Sequence, residues 1–146
     1  MAVIELSRRL SLLLLLCALS ASAQQSRAIR EQVAHVASAL SAGHPAEAMD
    51  PFDKSFADYA KLRDYFTALT DAHTIINEMD ITDEQIDRHE ATLTIHWTLT
   101  LQDLTTGLSE SRAQDLTVKL TMAKYDWRIV DLSPVEFFNP DQPKSK

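Results

Sequence analysis

From Ser26 onward the apolar residues Ile29, Val33, Val36, Ala37 and Leu40 recur three and four positions apart, the spacing that lines up one face of an α-helix. Gly43 and Pro45 follow, so the pattern predicts a helix over about Arg27–Ala42 that stops at the glycine. Pro45 suits the first turn of a short second helix, Ala46–Met49, which Pro51 closes. Ser55-Phe56-Ala57-Asp58 has the form of a capping box, and Tyr59, Leu62, Phe66 and Leu69 continue at helical spacing. A third helix with an aromatic-rich buried face is expected there.

After Asp71 the period falls to two. Ile75, Asn77, Met79 and Ile81 lie on one side, with Thr74, Ile76, Glu78, Asp80 and Thr82 on the other. The clearest segment follows: Leu93, Ile95, Trp97, Leu99 and Leu101 alternate with Thr92, Thr94, His96, Thr98, Thr100 and Gln102, as in a long antiparallel strand with one face on a core. Thr105-Thr106-Gly107 marks a turn. A third strand alternates Leu116, Val118, Leu120 and Met122 with polar residues, and Lys124-Tyr125-Asp126 turns into a fourth, Trp127–Leu132. Pro134 and Phe137-Phe138 lead into a charged tail. Helices first and then about four long strands in a meander define an α+β fold, with N-terminal helices packed on one face of a curved antiparallel sheet.

The segment before the first helix changes the picture of where the chain works. Arg8-Arg9 precedes the apolar run Leu10–Leu19, and Ala21-Ser22-Ala23 supplies a small-residue cleavage site, so residues 1–23 read as a cleaved signal peptide. The apolar run is too short for a permanent membrane helix. Ser11 stands where a twin-arginine signal carries phenylalanine, and large Leu16 precedes Cys17 where a lipoprotein site has a small residue. General secretion to a bacterial periplasm or medium is the expectation, with a domain over 24–138, a flexible tail over 139–146 and no membrane contact after cleavage. Cys17 leaves with the leader, which removes thiol chemistry from the mature chain.

The 146 residues are 45% hydrophobic, too apolar for a disordered chain. With 14 basic against 21 acidic side chains and a net charge of -7, the protein has no cationic footprint for nucleic acid.

The helix-helix-helix start, the long Ala91–Leu101 strand and the closing Trp127-Arg128-Ile129-Val130-Asp131 together resemble the nuclear transport factor 2-like superfamily, which includes SnoaL-like domains. The resemblance implies a cone-like, cystatin-like roll. The room between Asp50 and Ser55 is too short for the early strands such domains often insert, so a trimmed version is expected. It also implies two classes of function: cofactor-free ketosteroid-isomerase-like or polyketide-cyclase-like isomerases and dehydratases, and members without chemistry. The isomerase-like members carry a tyrosine on the first helix, which this chain lacks, so no catalytic residue is carried over. Non-catalytic binding of a small apolar ligand or a protein comes first, the isomerase or dehydratase reading is the alternative, and a purely structural partner subunit is the third.

Tyr59, Phe66, Asn77, Met79 and Trp97 lie on the inward faces and are the candidates to line a pocket, Tyr59 and Asn77 as its polar groups. Filling of the core explains the same five residues. The five histidines have neither the i, i+4 nor the i, i+2 spacing that presents two imidazoles on one face, so no metal site is expected and no cofactor is implied. Glu78, Asp80, Asp83, Glu84, Asp87 and Glu90 read as a solvated hairpin end, and Asp50 and Asp53 as turn formers around Pro51-Phe52. The threonine face, centred on Thr94, His96 and Thr98, fits either a solvated pleat or a polar homodimer interface.

Overall fold

The apolar stripe of the first helix is buried as its spacing requires: Ile29, Val33, Val36 and Leu40 are at most 2% exposed. The computed structural model describes the backbone of residues 2–142 and the side chains of Cys17 and residues 20–142. Helix α1 spans Ala2–Ser41, so it begins well before the expected Arg27. No glycine or proline interrupts that stretch, and its leucines and alanines are strong helix formers, so the helix propagates through residues 2–26 as well. The side chains of Arg8, Arg9 and the run Leu10–Leu16 lie outside the described residues. Among those described, no helix is long and apolar enough to cross a membrane.

α1 ends as its sequence specifies. Gly43 adopts φ +75°, its N–H donates to Leu40 O at 3.1 Å, and the His44 N–H reaches Ala39 O at 2.9 Å. These are the two bonds of a Schellman motif, which requires a left-handed residue at that position. Helix α2, Pro45–Ala48, follows with proline in its first turn. Helix α3 spans Tyr59–Ala72 and buries Leu62, Phe66 and Leu69.

The capping box expected at Ser55–Asp58 does not form. The Ser55 N–H donates instead to Asp53 Oδ1 at 2.9 Å, and Asp58 occupies the N-cap position without a side-chain bond. Asp53 competes for the amide and makes an Asx turn. Hydrogen bonds from Ser55 hold the Asp53 carboxyl below its ordinary value.

Four strands form one antiparallel meander in the order β1-β2-β3-β4: His73–Ile86, Glu90–Asp103, Ser109–Ala123 and Asp126–Ser133. Met79 pairs with Trp97 and Asn77 with Leu99, so the inward set of β1 meets the inward set of β2. A bulge between Ile81 and Asp83 inserts one extra residue and shifts the alternation. Glu84 is thereby turned toward α1, where it accepts hydrogen bonds from Ser26 Oγ and from Arg30 Nε at 3.0 Å. Burial pushes the Glu84 carboxyl up, but the bonds from Ser26 and Arg30 outweigh it and the net shift is downward. Of the acidic set, Asp87 lies in the connection, residues 87–89, and Glu90 opens β2, as a solvated hairpin end requires, whereas Glu78, Asp80, Asp83 and Glu84 belong to β1 and Glu84 is drawn against α1.

The space that related folds give to early strands holds one parallel bridge, Phe52 with Ile129. It is closed by bonds from Asp53 N to Ile129 O and from Ile129 N to Pro51 O, both 2.8 Å, and by Arg128 donating to Phe52 O at 2.7 Å. After β4 the chain forms a 3₁₀ helix, η1, over Val135–Phe138. Of the segment read as a tail, residues 139–142 are described. Arg112 on β3 donates to Asn139 O at 2.8 Å and to Gln142 Oε1 at 3.0 Å, and the last four residues lie outside the described set.

Candidate functional site

The inward face of the sheet is where a cone-shaped fold would hold a ligand, and here aromatic rings occupy it. Phe66 comes from α3, Trp97 from β2, and Phe137 and Phe138 from η1; each is at most 1% exposed. The Phe138 ring lies 5.1 Å from Phe66, 5.3 Å from Trp97 and 5.0 Å from Phe137, each pair edge-to-face. That arrangement aligns ring edges with ring faces and adds to the area each ring buries. Phe52 continues the cluster, 6.0 Å from Phe56 and 6.3 Å from Phe66.

One polar group penetrates this face. Asn77 accepts the Trp97 indole N–H on Oδ1 at 2.9 Å, while its Nδ2 donates to Ala37 O at 3.1 Å and Ser41 Oγ at 2.9 Å. A side-chain amide has two donor hydrogens and one carbonyl, and all are engaged. Asn77 thus joins β1, β2 and α1 and has no N–H left for a bound molecule. Met79, opposite Trp97, and Tyr59, at the start of α3, are half-buried and pack against the core. Of the five pocket candidates the structure brings Phe66 and Trp97 together around Phe138, ties Asn77 to Trp97, and sets Tyr59 and Met79 at the periphery.

Sequence reasoning missed the residues that close this site. Phe137 and Phe138 follow no helical or strand period, and their adjacency after Pro134 is the only trace of them in the sequence. Two polar groups hold them from outside. The Tyr65 hydroxyl donates to Glu136 Oε1 at 2.9 Å, Lys61 pairs with the same carboxylate, and Asn139 Nδ2 donates to Oε2 at 3.0 Å. Lys61, with Asn139 and Tyr65, holds the Glu136 carboxyl down at about 2. The carboxylate in turn raises Lys61, and burial followed by Glu136 raises Tyr65. On the other side Arg112, paired with Glu110 at 3.0 Å, donates to Phe137 O at 3.0 Å.

The outward face of the same sheet is polar. Thr94 and Thr98 are half-buried by neighbours on the pleat, and His96 is exposed between Asp80 on β1 and Asp115 on β3. Its Nδ1 lies 2.7 Å from Asp115 Oδ1. At one end of the sheet a groove of about 340 Å³ runs between His73, Asp103, Leu108, Glu110 and Pro140, and none of the five pocket candidates lines it. Among the described residues no three histidine, cysteine or acidic side chains converge as a metal site.

Three helices covering one face of a four-stranded antiparallel meander constitute the α+β, cystatin-like roll of the nuclear transport factor 2-like fold. Solved structures that the chain resembles carry the same architecture at low sequence identity. A nuclear transport factor 2-like protein with a cystatin-like fold from Novosphingobium aromaticivorans superposes with a TM-score of 0.65 at 16% identity, covering 80% of this chain and 84% of that one. A putative scytalone dehydratase from the same species gives 0.66 at 10% identity over 76% and 83%. A ketosteroid isomerase-like protein from Erwinia carotovora atroseptica gives 0.62 at 11% identity over 73% and 91%. No protein-family model matches the sequence, and no curated protein does.

Proposed function

We propose that this protein is an exported, non-catalytic binding module whose working surface is the outward face of the sheet, paired with a second copy of the chain. The observation that carries the reading is Phe138, which stands in the space between Phe66 and Trp97. An isomerase or dehydratase of this fold needs room for its substrate, on the order of 300 Å³ or more, and a desolvated acid or base facing it. At this position the chain offers four aromatic rings and an amide whose hydrogens are all engaged.

The outward face has the opposite character. Thr94 and Thr98 flank His96 in a strip of uncharged hydroxyls that desolvates at lower cost than a charged one, bordered by Glu78 and Asp80 on β1 and by Asp115 on β3. In an isologous pair the same strip meets itself. Export is supported by the exposure of Ser20–Gln24 on α1, so cleavage after Ala23 removes none of the described core side chains.

The experiment is to incubate the mature protein with a Δ5-3-ketosteroid and follow conjugated enone formation, with the buffer reaction as reference. No acceleration is expected, and turnover abolished by unfolding the protein would establish the isomerase reading instead. Intact mass of protein from an exporting host is expected to begin at Gln24. Retained Met1, or lipid on Cys17, would defeat the export reading.

A further inference from the structure

Glu84 ties α1 to the sheet near the point where the export reading cuts the chain. The bulge in β1 turns this carboxylate toward the helix, where the Ser26 hydroxyl and Arg30 donate to it, one turn ahead of the buried Ile29. The Glu84 side chain is 15% exposed, so Ser26 bonds a largely desolvated carboxylate that water would replace it on only in part. Two residues ahead of this anchor, Gln24 is exposed, and its side-chain amide is bonded to nothing among the described residues.

Cleavage after Ala23 makes Gln24 the first residue, with a new α-amine and a side-chain amide in the same residue. An α-amine has an ordinary pKa of about 7.7–8.0, so part of it is unprotonated at neutral pH. The amine nitrogen adds to Cδ, the Cδ–Nε2 bond breaks, a proton passes from the amine to the departing nitrogen, and ammonia leaves. The product is a five-membered lactam, formed without an oxidant or a second reactant. The fold favours it. A free α-ammonium stands at the positive end of the helix dipole, and the neutral lactam removes that charge. A proline-like ring also fits the first turn of a helix, where the backbone nitrogen has no partner within the helix. We propose that Gln24 is a modification site: the exported chain closes to pyroglutamate at position 24, which denies aminopeptidases an α-amine and protects the Ser26–Glu84 anchor behind it. The inference rests on the export reading and goes beyond it by naming the chemistry of the new terminus.

The test uses the full chain expressed in an exporting host, recovered after export, held in warm neutral buffer, and read by intact mass and by tandem mass spectrometry of its first peptide. The wild type is expected at the mass of residues 24–146 less one ammonia, with the loss placed on Gln24, and is expected to form no adduct with a reagent selective for α-amines. Gln24→Ala keeps a free amine and alters no core side chain. It is expected at full mass, to take up the reagent, and to be shortened by an aminopeptidase that leaves the wild type intact. The proposal is overturned if the wild type begins at Gln24 at full mass, or if Gln24→Ala resists the aminopeptidase as long as the wild type does. The two readings fail separately. A chain that begins at Gln24 with its amine free defeats the ring alone, whereas a chain that begins elsewhere defeats cleavage after Ala23 and the ring with it.

Discussion

Alternate residues of β2 belong to two different environments. Leu93, Ile95, Trp97 and Leu99 are 0% exposed, while Thr94, His96 and Thr98 between them look outward. Backbone pairing is the same for both sets, so the difference lies in what each face meets. Inside, α1, α3 and η1 fix every side chain by shape, and a polar atom is admitted only when fully bonded, as Asn77 is. Outside, the side chains are constrained by neighbours on the pleat and little else. The inner face therefore supplies stability, whereas the outer face tolerates substitution at little cost to it.

The strongest way to break this contrast is Trp97→Ala. Loss of a fully buried ring that meets Phe138 edge-to-face should cost about 3–5 kcal/mol, read as a lower denaturant midpoint with unchanged slope. Asn77→Ala should cost about 1–3 kcal/mol by leaving the indole N–H buried and unbonded. A cost near zero would mean that the indole finds another acceptor.

Acid titration probes the rim of the inner face. Glu136 has a folded pKa of about 2 against an ordinary 4.5, so its stabilising contribution is complete above the unfolded value and is lost as pH falls from 4.5 toward 2. The difference in melting temperature between wild type and Glu136→Gln should shrink across that window. A difference constant with pH would show that the contact of Glu136 with Lys61 and Tyr65 adds nothing to stability. Smallest of all, Thr94→Ala should change stability by no more than about 0.5 kcal/mol, since it alters only the outer face. A loss comparable to that of Trp97→Ala would show the faces to be assigned the wrong way round.

The strands were legible because their alternation runs unbroken from Ala91 to Leu101 and again from Leu116 to Met122, and a period of two has one structural meaning at that length. The bulge was not, because Thr82 and Asp83 are both polar and the inserted residue leaves no mark in the pattern. The start of α3 was misplaced for a related reason: Ser55 and Asp58 have capping chemistry, but Asp53 claims the Ser55 amide first. The sequence nominated Phe66 and Trp97 for the interior correctly as inward residues. It was silent about the ring between them, because Phe138 reaches the core from a short 3₁₀ turn that has no period, and its latches pair residues far apart in the chain, Lys61 and Tyr65 with Glu136 and Arg112 with Phe137.

The division of labour between the two faces is tested most directly by sedimentation equilibrium of the mature wild type beside the double variant Thr94→Glu, Thr98→Glu. Added like charges that face each other across an isologous sheet contact oppose association without touching the inner core. The account predicts a concentration-dependent dimer for the wild type and a monomer for the variant, with the same circular dichroism and denaturant slope. A wild type that remains monomeric at every accessible concentration, or a variant that dimerises as well as the wild type, would contradict it.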